Sequence, residues 1–493
     1  MRARETARRK ERRAVPPVVS ARLASRVSLE SHANGDVIAS FDGYSVGLGT
    51  FGAGVADRAK ELRTGLRLAS FASRALSIDQ EIDRLVRRLA RHGLLEYCVR
   101  HPGSGKDLVV IEPQVADYWP ATPQLDNADA LLLSRFAYIR RRGQDVVLES
   151  PRAGALFKIC DPKVAAIIAS LSEPRHVKQL LRSDGFPGVE LLALLVDSRI
   201  LFKIDAATDR GVRTAEGEDD GLVLWDFHDL LFHARSTVGR HANPVGGLYT
   251  YANVVPPLPA VRPRWPGKKI DLRKAAGAHS DPIPPIAKLL AGRHSTRSFD
   301  DQRPISLAEL SRFLDYTARV LSKWKSGTDL GDAGPVLAYA VRPYPSAGAS
   351  YELELYLSVD KCEGLAPGFY HYDAGGHALV LIGGRTHEFE ALLKDAELAM
   401  GAPTAPQILI TIAARFGRMT WKYSSIAYSL ILKDVGALIQ TFYMAAIDMG
   451  LGGCAIGSTN IDLFAKMTGI EFHVEGPVGQ FAIGRPTKPA PSG

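Results

Sequence analysis

Arg293-His294-Ser295-Thr296-Arg297-Ser298-Phe299 follows an apolar turn made by Ile286, Leu289 and Leu290. Two guanidiniums flank a hydroxyl here, a donor set that can grip a phosphate through charge-assisted hydrogen bonds worth roughly 1.5 to 3 kcal/mol each. Alone, the same residues could equally be an Arg-rich helix end facing water. What lies on either side of the stretch decides between these.

Downstream, Pro345-Ser346-Ala347-Gly348-Ala349 precedes a period-2 strand from Tyr351 to Ser358. A turn of such small residues lets backbone approach a flat ring closely. Trp421-Lys422-Tyr423-Ser424-Ser425 then opens a helix, Ile426 to Met449, apolar on most sides and so expected inside a core or a subunit interface. The stretch Gly450-Leu451-Gly452-Gly453-Cys454-Ala455 matches the alanine form of Gly-x-Gly-x-x-Gly, but it follows a helix instead of a strand, so a dinucleotide reading fails on context. Gly47-Leu48-Gly49-Thr50-Phe51-Gly52 opens no βαβ unit and reads as a glycine-rich turn. A hairpin is expected over Phe369 to Leu381, turning at Asp373-Ala374-Gly375-Gly376. Residues 276–493, alternating helix and strand, are the expected catalytic domain.

Upstream, 216–275 is rich in His, Gly and Pro and reads as an extended connector. Its His228, His233 and His241 are spaced by five and eight, so they do not share a helical face as metal ligands would, and packing is the expected role. Before it, Ser77-Ile78-Asp79-Gln80 reads as a capping box opening a helix with Ile82, Leu85, Val86 and Leu89 on one face, stopped at Gly93. Asp161 caps a second helix with Pro162 at its first position. At an offset of 106 residues, Leu85, Val86, Leu89, Leu94 and Leu95 align with Leu191, Leu192, Leu195, Ile200 and Leu201. This predicts a duplicated helical module with a β wing, in winged-helix-like halves 21–125 and 126–215. Gly188 to Ser198 carries Glu190 and Asp197 and no Lys or Arg, which disfavours nucleic acid as partner.

Of the formal charge of +8, +5 sits in residues 1–13, where seven Lys and Arg meet two Glu. Residues 1–20 are accordingly expected to be a basic, disordered tail. At 493 residues with 46% hydrophobic and 23% charged side chains, a fibrous or mainly disordered chain is excluded. The most apolar run, Val435 to Ile447, is too short to cross a bilayer. Cys98, Cys160, Cys362 and Cys454 are far apart with no Cys-x-x-Cys, which fits a reducing, cytoplasmic compartment and no metal site.

The order of these blocks, Arg-His-Ser-Thr-Arg-Ser-Phe, Pro-Ser-Ala-Gly, Lys-Tyr before a long helix, Gly-Leu-Gly-Gly-Cys-Ala-Ile-Gly and Gly484-Arg485-Pro486, resembles the nitroreductase-like FMN superfamily. Within it the chain is most similar to the SagB-type azoline dehydrogenases, which form thiazoles and oxazoles in ribosomally made peptides. Pro367-Gly368-Phe369-Tyr370-His371-Tyr372-Asp373 and Trp225-Asp226-Phe227-His228-Asp229 resemble that subfamily too, and 1–215 is similar in plan to the peptide-binding modules of cyanobactin-type oxidases. The resemblance implies an α+β fold, with a mixed sheet flanked by helices after tandem winged-helix-like modules, and a homodimer with FMN at its interface.

It further implies that Arg293, His294, Ser295 and Arg297 hold the FMN phosphate and ribityl, with Arg485 a further candidate. Pro345, Ser346, Ala347 and Gly348 would line the flavin ring, and a Gly452-Gly453 loop would offer N–H groups to it. Lys422 and Tyr423 resemble the family's catalytic pair. Aromatising an azoline removes two electrons and a Cα proton, so it needs a base and a hydride acceptor. Tyr423 is the expected base with Lys422 assisting, since a nearby ammonium favours tyrosinate. The implied partners are a heterocyclised precursor peptide and a cyclodehydratase, with no membrane. Two other readings stay open at this point: an NAD(P)H-dependent FMN nitro- or quinone reductase, and a DNA-binding regulator with a flavin sensor domain.

Overall fold

Two helices in the first half of the chain end in the same way. The computed structural model describes residues 18–52, 54–68, 77–101, 104–183, 188–204 and 220–238, isolated positions between 249 and 272, then 284–327 and 335–487. After the helix Ser77–Arg91, Gly93 adopts φ +64°, and the N–H groups of Gly93 and Leu94 donate to the carbonyls of Ala90 and Leu89. After Val189–Asp197, Arg199 adopts φ +55°, and Arg199 and Ile200 donate to Val196 and Leu195. Both chains then enter a strand, Leu95–Arg100 or Leu201–Ile204. The aligned apolar residues are buried in both copies. The repeat therefore extends to the backbone, although the second copy keeps a β-carbon where the left-handed form costs an L-residue about 1–2 kcal/mol.

The chain divides into two compact units, Met1–Arg235 with Gly239–Ala242, and Ser236–Val238 with Asn243–Gly493. The first is built on a seven-stranded antiparallel sheet, in spatial order Leu66–Arg67, Val18–Leu23, Leu95–Arg100, Asp107–Pro113, Ala155–Ile159, Asp145–Glu149 and Tyr138–Arg142. Strands from both sides of residue 125 share this sheet. Asp161 caps Pro162–Ser170 by accepting from the Lys163 N–H. The Ser77 end of its helix borders residues outside the description, so the capping box is not visible. Gly47-x-Gly is no turn: it lies in the strand Tyr44–Thr50, where the register slips against Val37/Ile38 and Gly49 takes φ +98°. A bulge in an antiparallel sheet, not a tight loop, is what needs the glycine.

The second unit centres on a six-stranded sheet in the order Ala378–Gly383, Gly368–Asp373, Leu353–Val359, Ile408–Arg415, Glu475–Gly484 and Gly452–Ile456. The α+β class is as expected. The sheet itself differs from the mixed one anticipated, since each described pairing is antiparallel. Its first three strands form a meander whose connections are too short for a parallel crossover. The expected hairpin is the Gly368–Asp373 and Ala378–Gly383 pair, with Asp373 Oδ1 accepting from the N–H groups of Gly375 and Gly376 in the turn.

The helix Ala427–Asp448 presents Tyr428, Ile431, Val435, Leu438 and Phe442 to this core. It is longer than the apolar run read from sequence, and among the described residues it alone has the length and apolarity to cross a bilayer. A buried Asp434 on it makes that use costly. The basic residues 1–13 and much of the 216–275 connector, His241 included, lie outside the described residues.

Candidate functional site

Two polar side chains on Ala427–Asp448 each gather one of the blocks singled out in the sequence. The first is Tyr443. Its hydroxyl accepts from the Ala455 N–H at 2.9 Å and lies 2.9 Å from Ser295 Oγ, while the Arg293 guanidinium sits 5.3 Å from the ring centroid. With the Tyr443 oxygen already accepting from backbone, its own proton is free for Ser295. The Thr296 N–H donates to the Gly453 carbonyl at 2.8 Å, which stitches the Arg-Ser-Arg stretch along the edge strand Gly452–Ile456.

Gly452 and Gly453 thus belong to a strand, not the expected loop. Their lack of side chains has a local cause: a β-carbon on Gly452 would lie 2.6 Å from Thr296, and one on Gly453 2.3 Å from the Phe481 ring. Arg293 and Arg297 are exposed, and neither has an ion-pair partner among the described residues. His294 Nδ1 stays 2.9 Å from the Gly292 carbonyl of its own helix end. The Cys454 thiol is buried, and burial holds it up against the opposing charge of Arg297.

Arg485 is placed differently from Arg293 and Arg297. Its Nη2 donates to both oxygens of Glu309 at 2.8 and 2.7 Å, and its Nε to the Arg303 carbonyl. Burial works against the charge of Glu309, but Arg485 and Ser306 outweigh it and hold that carboxyl down at about 2. The guanidinium is thus paired with a carboxylate, as those of Arg293 and Arg297 are not among the described residues.

The second organiser is Asp434. Its Oδ2 accepts from Ser346 Oγ at 2.8 Å and from the Ala347 N–H at 2.9 Å, and Ser346 Oγ in turn accepts from the Tyr351 N–H at 2.9 Å. Glu352 Oε2 lies 3.3 Å from the same Ser346 hydroxyl. The turn they hold is unusual in its backbone: Gly348, Ala349 and Tyr351 have φ of +56°, +52° and +44°. Lys422 Nζ donates to the Gly348 carbonyl at 3.3 Å, and a β-carbon on Gly348 would meet Tyr423 Oη at 2.4 Å and Lys422 Nζ at 2.6 Å. Pro345 is exposed at the start of the turn. The Lys-Tyr pair, 74 residues from Gly348 in sequence, therefore rests on the one residue there with no side chain.

Asp434 and Tyr443 are nine positions apart, about two and a half helical turns, which sets them roughly 180° out of phase. The Arg-Ser-Arg cluster and the Ser-Ala-Gly turn are accordingly held on opposite sides of one helix. The residues fit FMN at the level of donor chemistry: two exposed guanidiniums and a hydroxyl for a phosphate, and a turn without bulk for a flat ring.

Asp434, Tyr443 and Glu352 were not singled out in the sequence. A signal existed for the first: Asp434 falls at a core position between Ile431, Val435 and Leu438, and a carboxylate there must have partners. The other singled-out motifs are structural. Trp225 is buried and stacks on the fully buried His233 at 6.0 Å, and Asp226 accepts from the His228 N–H at the start of Phe227–Ser236. His233 is thus packed against an aromatic ring, and among the described residues no group of three or more His, Cys, Asp and Glu side chains is placed to hold a metal ion. His371 points into a separate cleft of about 580 Å³ with Arg342, Glu354, Arg415 and Glu475.

Residues 290–485 match the model of the nitroreductase family, and residues 131–242 match that of the cyanobactin oxidase ThcOx. A Methanocaldococcus jannaschii protein assigned to the nitroreductases is 36% identical over 176 residues, 35% of this chain and 78% of that protein. Among solved structures, one from Ralstonia eutropha with the same assignment shares 23% identity at a TM-score of 0.31, covering 43% of this chain and 88% of its own. The E. coli microcin synthetase McbBCD complex with truncated pro-MccB17 bound shares 19% at 0.38, covering 55% and 97%.

Proposed function

The chain belongs to the nitroreductase family, and we propose that it is an FMN-dependent dehydrogenase that converts thiazolines or oxazolines in a ribosomally made peptide to thiazoles or oxazoles. The observation that carries this reading is the seating of Lys422 and Tyr423 on Gly348. A reductase that only relays electrons needs no base at the turn lining its flavin, whereas azoline aromatisation must remove a Cα proton. The match of residues 131–242 to a cyanobactin oxidase supports a peptide as the substrate.

In this reading Arg293, Ser295 and Arg297 hold the FMN phosphate, and Ser346 to Gly348 support the ring. Bound FMN supplies the two-electron acceptor, with oxygen as the expected final oxidant. Tyr423 takes the Cα proton, with Lys422 Nζ 5.4 Å from the centre of its ring to assist. The half-turn between Asp434 and Tyr443 supports a dimer in which the phosphate grip of one copy faces the Lys-Tyr turn of the other. Residues 21–215 are proposed to capture the precursor peptide, for which the edge strand Tyr138–Arg142 offers unpaired backbone.

The test offers one purified protein two substrate sets, a peptide carrying azolines and a nitroarene or quinone with NAD(P)H. Azoline oxidation without added nicotinamide is expected, and it should be much faster on the full-length peptide than on a short free azoline, because capture raises local concentration to roughly millimolar. Nitroarene reduction with no azoline turnover would favour the general reductase.

A further inference from the structure

We propose that Glu352 and Asp434 share one proton, and that this buried pair is the positioning device that locks the Ser346–Tyr351 turn in the shape on which Lys422 and Tyr423 rest. The proposal deepens the reading above and rests on it for the identity of the ligand, though not for the chemistry of the pair.

The turn closes on two backbone bonds of its own, from Ala349 to the Ser346 carbonyl and from Ser350 to that of Ala347, but its backbone conformation calls for further support. Ala349 and Tyr351 are left-handed although both carry β-carbons, and such residues persist only where neighbours over-determine them. Asp434 is that neighbour, since one of its oxygens takes both the Ser346 hydroxyl and the Ala347 N–H. Two donors on one oxygen favour a charged carboxylate, because charge-assisted bonds are roughly twice as strong as neutral ones.

Glu352 is fully buried, and its Oε1 has no hydrogen-bond partner among the described residues. Two charged carboxylates at this depth would repel, so one must carry a proton. Asp434 has its acceptor role already assigned, which leaves the proton to Glu352. Burial first, then the charge of Asp434, raises Glu352 to about 7. The other ionisable groups around it are Arg418 and the buried Tyr344, with Arg342, Glu354 and Arg415 acting on Arg418 or Tyr344 in turn. Arg418 forms no ion pair with either carboxylate among the described residues, its Nε and Nη2 donating to the carbonyls of Ser350 and Ala338, and its charge, though felt by Glu352, is outweighed by burial and Asp434.

A raised carboxyl favours the fold while it stays protonated, so this contribution is lost as pH rises from the ordinary carboxylate value of about 4.5 towards 7. The experiment compares wild type, Glu352→Gln and Asp434→Asn in FMN affinity and in apoprotein melting between pH 5 and 8.5. Asp434→Asn is expected to weaken FMN about tenfold at pH 6, because an amide oxygen can still accept both donors but the two bonds lose their charge assistance. Glu352→Gln, a stand-in for the protonated acid, is expected to stay within about threefold of wild type at pH 6 and to flatten the wild-type loss of FMN affinity and melting temperature as pH rises from 5 to about 7. Equal damage from both variants, or an unchanged pH dependence in Glu352→Gln, overturns the shared proton. Should Asp434→Asn not fold, the Glu352→Gln pH series still decides. A wild type that binds no FMN would overturn the functional reading, while the melting series continues to judge the pair.

Discussion

Replacing Arg293 and Arg297 together with alanine is expected to turn a yellow protein colourless. Both guanidiniums are exposed and free of ion-pair partners among the described residues, so their removal breaks nothing internal except the contact of Arg293 with Tyr443. Each charge-assisted bond to a phosphate is worth roughly 1.5 to 3 kcal/mol, so losing both should weaken FMN by about 10²- to 10⁴-fold. The measurement is flavin absorbance per chain after desalting, with circular dichroism to confirm the fold. A folded double variant with full flavin would mean that the stretch is a solvated helix end. Arg485→Ala makes the contrast: its guanidinium is occupied by Glu309, so it should cost stability before it costs flavin.

The second large effect is expected on chemistry without loss of cofactor. Tyr423→Phe and Lys422→Ala should stay yellow and lose azoline oxidation by about 10²- to 10⁴-fold, the usual contribution of a positioned acid or base. Neither side chain touches the Arg-Ser-Arg cluster. Gly348→Ala should act like both together, since the added methyl takes the space of the phenol and the ammonium at once. Single-turnover bleaching of the flavin by an azoline peptide reads the step directly. Wild-type bleaching rates in Tyr423→Phe and Lys422→Ala would leave the pair a structural support for the turn.

Local signals carried much of the fold into view. Helix faces such as Leu85, Val86 and Leu89, the Asp161 cap and the Asp373–Gly376 turn depend on residues near one another in sequence. Val27–Ser31, Asp36–Phe41 and Tyr44–Thr50 pair with one another locally and were missed all the same, whereas the strand Val18–Leu23, whose first residues were expected in the disordered tail, owes its pairing to Leu95–Arg100 far along the chain. The same limit explains the Gly452-Gly453 stretch. Its glycines looked like loop residues, and only Thr296 and Phe481, brought close by folding, show why they sit in a strand. In the site, the arginines and the Lys-Tyr pair could be picked out by residue type and by family resemblance. Tyr443 could not, and Asp434 only by its charge at a core position of an apolar helix, since each gains its meaning from what folds against it.

The half-turn of phase between those two residues also bears on inheritance between subunits. If each cofactor is clasped by the arginines of one copy and the Lys-Tyr turn of its twin, two different defects can hide one another. Mixing the Arg293→Ala, Arg297→Ala chain with the Lys422→Ala chain would gather both lesions into one of the two sites and leave the other whole. Up to about a quarter of native activity should then reappear from two inactive preparations, with half the subunits in mixed pairs and one intact site in each. Were each site assembled within a single chain, every mixed pair would be dead.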